Sequence, residues 1–322
     1  MPSVYITNPI PEIGVDLLLR KGCKVEINKS GRDLSVEGLK KVLGDYDAVL
    51  SFLTNKIDAS VISSASKNLK VIANFAVGYD NIDVRAAAQR EITVCNTPGV
   101  ASESVAEHTF AMILALNKMI TEQDQFVRDG KYKKWDPNIF LSHQLWGQTI
   151  GIIGLGRIGT FVGQIAGGGL RMKILYFDVR RSEDFELLTD AKFESVHEIL
   201  KKSDIVTLHV PLTDRTRHLI GREEFKLMKD SAILINTARG PIVDEEALIW
   251  AIKEKEIAGA GLDVYEHEPD ISPELLKMKN LIFSPHTASA TFETRSEMSR
   301  IAAQNIVDVF EEKIPLGLVK PA

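Results

Sequence analysis

The chain holds only two cysteines, Cys23 and Cys95, among 322 residues. Two thiols are too few for a disulfide framework or a cysteine-rich zinc module. Their scarcity fits a reducing, intracellular setting, read here as cytoplasmic. Cationic excess is also missing: 39 Lys and Arg stand against 44 Asp and Glu, for a net charge of -5. That is the wrong sign for a nucleic-acid binder. The most apolar run, Phe110–Leu116, falls far short of the roughly 20 residues that a membrane-spanning helix needs. The opening MPSVYITNPI has neither the basic region nor the apolar core of a signal peptide. None of the seven histidines sits at a recognisable metal-ligand spacing, so no metal is expected.

What is present is an ordinary folded composition, 44% hydrophobic and 26% charged. At roughly 100–200 residues per domain, this length makes two domains the default, with one large α/β domain as the alternative. Short apolar runs alternate with helical stretches. The expected strands are Val4–Thr7, Lys24–Ile27, Ala48–Ser51, Val71–Asn74 and Ile92–Val94, then Thr149–Gly154, Lys173–Asp178, Ile205–His209, Ala232–Asn236, Gly259–Asp263 and Leu281–Ser284. Asp58 and Asp83 each precede a helical stretch as N-caps. Such alternation means α/β architecture, with parallel sheets covered by helices on both faces. A turn-rich break at Asn96-Thr97-Pro98-Gly99 separates two blocks of these units. Ser102–Asn117 follows as a helix apolar on nearly every side. It is either a core helix of one domain or a helix that packs on a second subunit. Ala166-Gly167-Gly168-Gly169 is expected to loosen the end of a later helix.

The most local signal is Gly154-Leu155-Gly156-Arg157-Ile158-Gly159, a G-x-G-x-x-G run directly after an apolar strand. The first glycine permits a tight turn. The second lets the backbone approach a pyrophosphate. The third lets the next helix pack close, with its N-terminus toward the phosphates. Asp178 ends the next strand, about 20 residues on, where a carboxylate hydrogen-bonds ribose hydroxyls and repels a 2′-phosphate. The expected cofactor is therefore NAD, with Val179 and Arg180 beside it. Arg180 and Arg181 keep NADP open, because a cation there tolerates the phosphate. His209 ends a further strand and is counted with the cofactor residues, a structural role remaining the alternative.

Three more segments place charged groups just past strands: Asn236–Gly240, Gly261–Pro269 and Ser284–Ala288. Ligands of open α/β sheets bind outside those carboxyl ends, so Arg239, Glu268 and His286 are the candidate catalytic residues. A guanidinium holds a carboxylate and polarises the adjacent carbonyl. A histidine exchanges the alcohol proton, and a carboxylate beside it favours the imidazolium. The chemistry that these groups support is hydride transfer between a nicotinamide and a 2-keto acid.

With these residues in order, the chain resembles the D-isomer-specific 2-hydroxyacid dehydrogenase family over essentially its whole length. The resemblance rests on Val77-Gly78-Tyr79-Asp80-Asn81-Ile82-Asp83, Asn96–Gly99, Gly154–Gly159, His209-Val210-Pro211-Leu212, Asn236–Gly240, Leu262-Asp263-Val264 and Pro285-His286. It implies two Rossmann-like or flavodoxin-like, doubly wound parallel-sheet domains with a cleft between them. Residues 1–98 plus 290–322 would form a discontinuous substrate-binding domain, and 99–289 the dinucleotide-binding domain. By the same resemblance Arg239 binds substrate, Glu268 is its acidic partner and His286 is the acid/base. Asp263 contacts the nicotinamide carboxamide, Thr237 and Ala238 contact the cofactor, and the backbone amides of Val77 and Gly78 grip the substrate carboxylate. The family also implies a homodimer, joined through the Ser102–Asn117 helix.

Within the family the likeness is greatest to glyoxylate and hydroxypyruvate reductases, through Phe75–Asp83. Trp135 is similar to a tryptophan that reaches the partner's active site in those enzymes; an ordinary interface aromatic is the other reading. Formate dehydrogenases pair the histidine with glutamine, not with a residue like Glu268, and phosphite dehydrogenase has a lysine where Val77 stands. A D-lactate-type or D-3-phosphoglycerate dehydrogenase stays open, the latter with Lys56 as a candidate phosphate contact. A third reading, of a different class, is an NADH-sensing, corepressor-like binding protein.

Overall fold

The first strands are three- or four-residue runs: β1 (Ser3–Ile6), β2 (Lys24–Ile27), β3 (Ala48–Ser51), β4 (Val71–Asn74) and β5 (Thr93–Cys95). Between them lie α1 (Glu12–Arg20), α2 (Val36–Asp45), α3 (Ala59–Ser63) and α4 (Val84–Gln89). Ser35, Asp58 and Asp83 cap α2, α3 and α4 by accepting from the backbone N–H groups of Gly38, Val61 and Ala86. The strands pair in parallel in the order β2-β1-β3-β4-β5. Every residue of β3 and β4 is buried, as a parallel sheet covered on both faces requires. Successive side chains point to opposite faces. Leu50 and Ala73 therefore join the core on one side of the sheet, and Val49 and Ile72 the core on the other.

The second block contains α5 (Ser102–Asn117), α6 (Ile120–Arg128), β6 (Thr149–Ile153), α7 (Arg157–Leu170), β7 (Lys173–Phe177), α8 (Glu183–Thr189) and β8 (Lys192–Phe193). It continues through α9 (Val196–Lys202), β9 (Ile205–Leu208), α10 (Arg222–Leu227), β10 (Ile233–Asn236), α11 (Glu245–Glu254), β11 (Gly259–Leu262) and β12 (Leu281–Phe283). Its seven strands are all parallel, in the order β12-β11-β10-β9-β6-β7-β8. That is the doubly wound order, with β6 at the reversal point from which chains run outward in both directions.

The chain closes with α12 (Phe292–Phe310), which packs on α1 and against β4. Asn305 ties this last segment to the first sheet: its Nδ2 donates to the Asn96 carbonyl at 2.9 Å, and its Oδ1 accepts from the Gly317 N–H at 3.1 Å. The chain thus forms two compact units, Met1–Ala101 with Ala290–Ala322, and Ser102–Ser289. The structure is a computed structural model and describes residues 1–321.

Three local differences from expectation have physical causes. Six of the eleven expected strands run one residue too far, because the residue at the end (Thr7, Gly154, Asp178, His209, Asp263 or Ser284) already belongs to the loop. The two-residue edge strand β8 is exposed in both positions and so carries no apolar pattern. The three glycines do not loosen α7, which continues through them to Leu170 and ends where Arg171 turns left-handed at φ +46°. Helix α5 packs on α7, β10, β11 and β12 of its own unit. One stripe stays exposed: Glu103, Glu107, Ala111 and Leu114.

Gly14 of α1 lies directly against Ser299 of α12, its N–H donating to Ser299 Oγ at 3.2 Å. A Cβ there would lie 2.4 Å from Ser299 Oγ and 2.5 Å from the Ser299 carbonyl oxygen. Gly14→Ala is expected to push the two helices apart and to cost about 1–3 kcal/mol. Chemical denaturation checks this, with a midpoint equal to wild type as the contrary result.

Candidate active site

Strand β6 runs into the glycine turn. Gly154 takes φ +100°, and a Cβ on it would sit 2.7 Å from the His209 carbonyl carbon and oxygen. Only glycine fits that turn. A Cβ on Gly159 would lie 2.2 Å from the Gly154 oxygen, so the first turn of α7 presses directly on the loop. Gly156 is different: a Cβ there would meet nothing within 4 Å. Open space therefore lies before the α7 N-terminus, where Arg157 and Ile158 begin the helix and unsatisfied N–H groups favour an anion.

Three further groups sit at the same edge of the sheet. Asp178, just past β7, accepts the Leu155 N–H with Oδ2 at 2.7 Å and so ties the glycine turn to the adjacent strand. Val179 and Arg180 beside it are exposed. Arg181 is held by Glu186 at 2.7 and 2.9 Å. The hydrogen bonds from Arg181 and then from the Tyr176 hydroxyl take the Glu186 carboxyl down to about 2. His209, just past β9, has Nε2 2.9 Å from Thr207 Oγ1, while its Nδ1 is buried with no partner among the described residues. Burial pushes this imidazole down to about 3, so it is neutral. An open backbone cradle, a helix N-terminus, a carboxylate at the next strand end and an orphaned ring nitrogen together fit a dinucleotide.

The neighbouring strands β10, β11 and β12 carry the second set. After β10, Asn236 grips its own turn, donating to the Arg239 carbonyl at 2.9 Å and accepting from the Ala238 N–H at 3.1 Å. A Cβ on Gly240 would lie 1.8 Å from the Tyr265 oxygen, so this turn packs backbone to backbone on the β11 loop. Arg239 is half-buried and its Nη1 donates to the Ala238 carbonyl at 2.8 Å. After β11, Glu268 accepts the Tyr265 N–H through Oε1 at 2.9 Å. Its Oε2 lies 2.8 Å from His286 Nδ1.

Burial pushes the Glu268 carboxyl up, but the hydrogen bond and charge of His286, the Tyr265 N–H and the charge of Arg239 outweigh it, and the net shift is downward. An ionised Glu268 can only accept, so His286 Nδ1 carries the proton toward it and Nε2 is left to exchange one. The backbone of His286 is left-handed, at φ +54°. Asp263, with no exposed surface, holds that turn. It accepts from the Thr287 and Ala288 N–H groups at 2.8 and 2.9 Å, and its carbonyl accepts from the His286 N–H at 2.8 Å.

In the other unit, Val77 and Gly78 follow β4. Their carbonyls are occupied by the side-chain amides of Asn96, at 2.7 Å, and Asn74, at 2.9 Å. Both carbonyls are turned toward the protein. The sequence alone does not disclose the anchoring roles of Asn74 and Asn96; its one signal is an asparagine that ends β4 and another that follows β5. Trp135, 75% exposed between α6 and β6, makes no hydrogen bond to the other site residues. The structure thus joins Glu268 directly to His286, places Arg239 on the adjacent strand end, and leaves Trp135 apart from them.

The neutral His209 has a consequence for stability. Its folded value of about 3 lies below the ordinary 6.5. Between those two values the unfolded chain binds the extra proton, so stability is lost as pH falls through that window. Urea unfolding from neutral pH into the acid range should show a smaller loss for His209→Gln than for wild type. Parallel curves would contradict this.

The family model for the D-isomer specific 2-hydroxyacid dehydrogenase NAD binding domain matches residues 110–288. A glyoxylate reductase of Thermococcus gammatolerans is 45% identical over 322 residues, covering 99% of this chain and 96% of that protein. A glyoxylate reductase of Korarchaeum cryptofilum is 44% identical over 321 residues, with 99% and 96% covered. Among solved structures, the TT0316 protein of Thermus thermophilus superposes with a TM-score of 0.92 at 37% identity, covering 99% of this chain and 100% of that one. With the glycine turn, the strand-end carboxylate and the Glu268–His286 pair already in place, these matches assign the chain to the D-isomer specific 2-hydroxyacid dehydrogenase family, NAD(P)-dependent oxidoreductases acting on a CH–OH group.

Proposed function

We propose that this protein reduces small 2-keto acids, glyoxylate and hydroxypyruvate, to the corresponding 2-hydroxy acids. The observation that carries the reading is the 2.8 Å contact of His286 with an ionised Glu268, one strand away from Arg239. The full-length likeness to proteins named glyoxylate reductase supports the choice of substrate.

A bound nicotinamide dinucleotide supplies the hydride. The Arg239 guanidinium pairs with the substrate carboxylate and draws electron density from the adjacent carbonyl. As negative charge develops on the carbonyl oxygen, His286 delivers the proton from Nε2. Glu268, fixed by the Tyr265 N–H, holds the imidazole by Nδ1 and stabilises its charged form before transfer. The Val77 and Gly78 amides, whose carbonyls are held back by Asn96 and Asn74, serve as donors to the carboxylate; by this reading the first unit is the substrate-binding domain.

In the dinucleotide-binding domain, the glycine turn with Arg157 and Ile158 holds the pyrophosphate. Asp178, flanked by Val179 and Arg180, takes the ribose hydroxyls and favours NAD. His209, Thr237, Ala238 and Asp263 complete the cofactor surroundings. Trp135 limits the substrate to small acids by reaching a partner subunit's site. The protein is a homodimer, supported by the exposed apolar side chains Leu114, Ile120, Val127, Trp135, Leu141 and Trp146, all from one stretch of chain. The two free, buried thiols support a cytoplasmic location. Among the described residues no helix is long and apolar enough to cross a membrane.

NADH and NADPH oxidation against glyoxylate, hydroxypyruvate, pyruvate and 3-phosphohydroxypyruvate tests the substrate. Strong turnover of the first two with NADH is expected, and preference for either of the others overturns the reading. Arg239→Ala and His286→Ala should each lower kcat/KM by about 10²–10⁴-fold while NADH binding persists; full turnover by either variant removes it from the machinery. Sedimentation should give twice the chain mass of 35.7 kDa, and a monomer at working concentrations would sink the dimer.

A further inference from the structure

Helix α5 carries two adjacent polar side chains, His108 and Thr109, that the mechanism above does not use. His108 Nε2 lies 2.8 Å from Ser284 Oγ, in the turn that leads to His286. Thr109 Oγ1 lies 3.1 Å from Thr237 Oγ1, in the turn that leads to Arg239. Consecutive residues of one helix thus touch both turns that hold the proposed catalytic pair. We propose that His108 and Thr109 are positioning residues that fix the spacing of Arg239 and His286.

The direction of each hydrogen bond follows from its surroundings. Ser284 has one proton, and its Oγ lies 2.5 Å from Oδ1 of the fully buried Asp263. An anion without water makes the strongest claim on a donor. Ser284 therefore donates to Asp263 and accepts from His108, which must carry its proton on Nε2. The chain His108 to Ser284 to Asp263 ends on the carboxylate that also gathers the Thr287 and Ala288 N–H groups. Thr109 gives its own proton to the Val105 carbonyl at 2.8 Å, one turn back on α5, so its oxygen accepts from Thr237.

The helix is a suitable reference body. It is 16 residues long and packs on α7, β10, β11 and β12. Thr109 has no exposed surface and Thr237 has 8%. His286 at φ +54° occupies a conformation that persists only where its surroundings over-determine it. Releasing Ser284 removes one of those determinants, and the turn is then free to relax away from Glu268.

This inference rests on the reading of Arg239 and His286 as the catalytic pair, so the test pairs kinetics with a measurement that needs no turnover. His108→Leu and Thr109→Val delete the two bonds, whereas His108→Gln keeps an N–H donor and Thr109→Ser keeps the hydroxyl. The deletions are expected to lower kcat about tenfold, because small misplacements of reacting groups are costly, with a smaller change in the Kd for NADH. The conservative variants should recover most of the loss. Ser284→Ala, which also takes a donor from Asp263, should lose at least as much as His108→Leu, and the double variant should be no worse than Ser284→Ala alone, since both break one chain. Amide hydrogen exchange at Thr287 and Ala288 should quicken in His108→Leu and Ser284→Ala. Unchanged exchange with unchanged kcat overturns the proposal, as does a His108→Gln variant no better than His108→Leu, which would leave only a packing role. If wild type turns over no keto acid while exchange still quickens in these variants, the functional reading fails and the hold on the turn stands.

Discussion

Burying a carboxylate is unfavourable unless each of its lone pairs finds a donor. Asp263 has no exposed surface and sits at the end of β11, between the turns that follow β10 and β12. It draws its donors from the β12 turn: the Ser284 hydroxyl and the backbone N–H groups of Thr287 and Ala288. To deliver all three, the chain must curl tightly around the carboxylate, and the residue at the bend is His286, forced to φ +54°. A left-handed backbone costs a side-chain-bearing residue about 1–2 kcal/mol. Leaving a buried anion short of a partner costs more, so the strain is accepted and the imidazole is aimed. The same curl places Nδ1 against Glu268, whose other oxygen is fixed by the Tyr265 N–H three residues earlier.

This arrangement needs a parallel sheet. Antiparallel neighbours would put successive strand ends on opposite edges, whereas β10, β11 and β12 release their chains side by side. The same edge receives the ends of β6, β7 and β9, with Gly154, Asp178 and His209 just beyond them. Close spacing there is bought with glycine. The oxygen of His209 crowds the Cβ position of Gly154, and that of Tyr265 crowds Gly240. Each contact lets two loops share space that side chains would otherwise fill.

Much of this was legible in the sequence because it is local. A strand buried on both faces must be apolar, as Ile150 to Ile153 are, and the residue that breaks the run marks where the sheet ends and the site begins. The expected strands carry Asp178, His209, Asp263 and Ser284 as their last residues, but each is the polar break itself and belongs to the loop. Long-range roles were not legible. Asn74 reads as the last residue of a strand, and only the fold shows its amide holding the Gly78 carbonyl. The triple glycine after Ala166 suggested a frayed helix, yet α7 keeps its register, gripped along its first half by close contacts at Gly159 and Gly163. Ser102–Asn117 read as apolar all round because its exposed stripe contains Ala111 and Leu114 beside only two glutamates.

Charge at the proposed cofactor edge follows the same logic of prior engagement. Two arginines follow Asp178, and from the sequence either is a match for a 2′-phosphate. The structure distinguishes them. Arg181 meets Glu186 with two of its nitrogens, and Glu186 is held in turn by the Tyr176 hydroxyl at 2.7 Å. A guanidinium paired along its Nε–Nη2 edge is oriented by Glu186, and its charge is offset by that carboxylate. Asp178 is committed through Oδ2 to the Leu155 N–H, which sets its distance from the glycine turn. One carboxylate is thus fixed at the strand end, and one arginine is already paired with a carboxylate of its own. On the proposed reading, Asp178 favours two unmodified ribose hydroxyls, and Arg180 is the exposed cation beside it that a 2′-phosphate would meet.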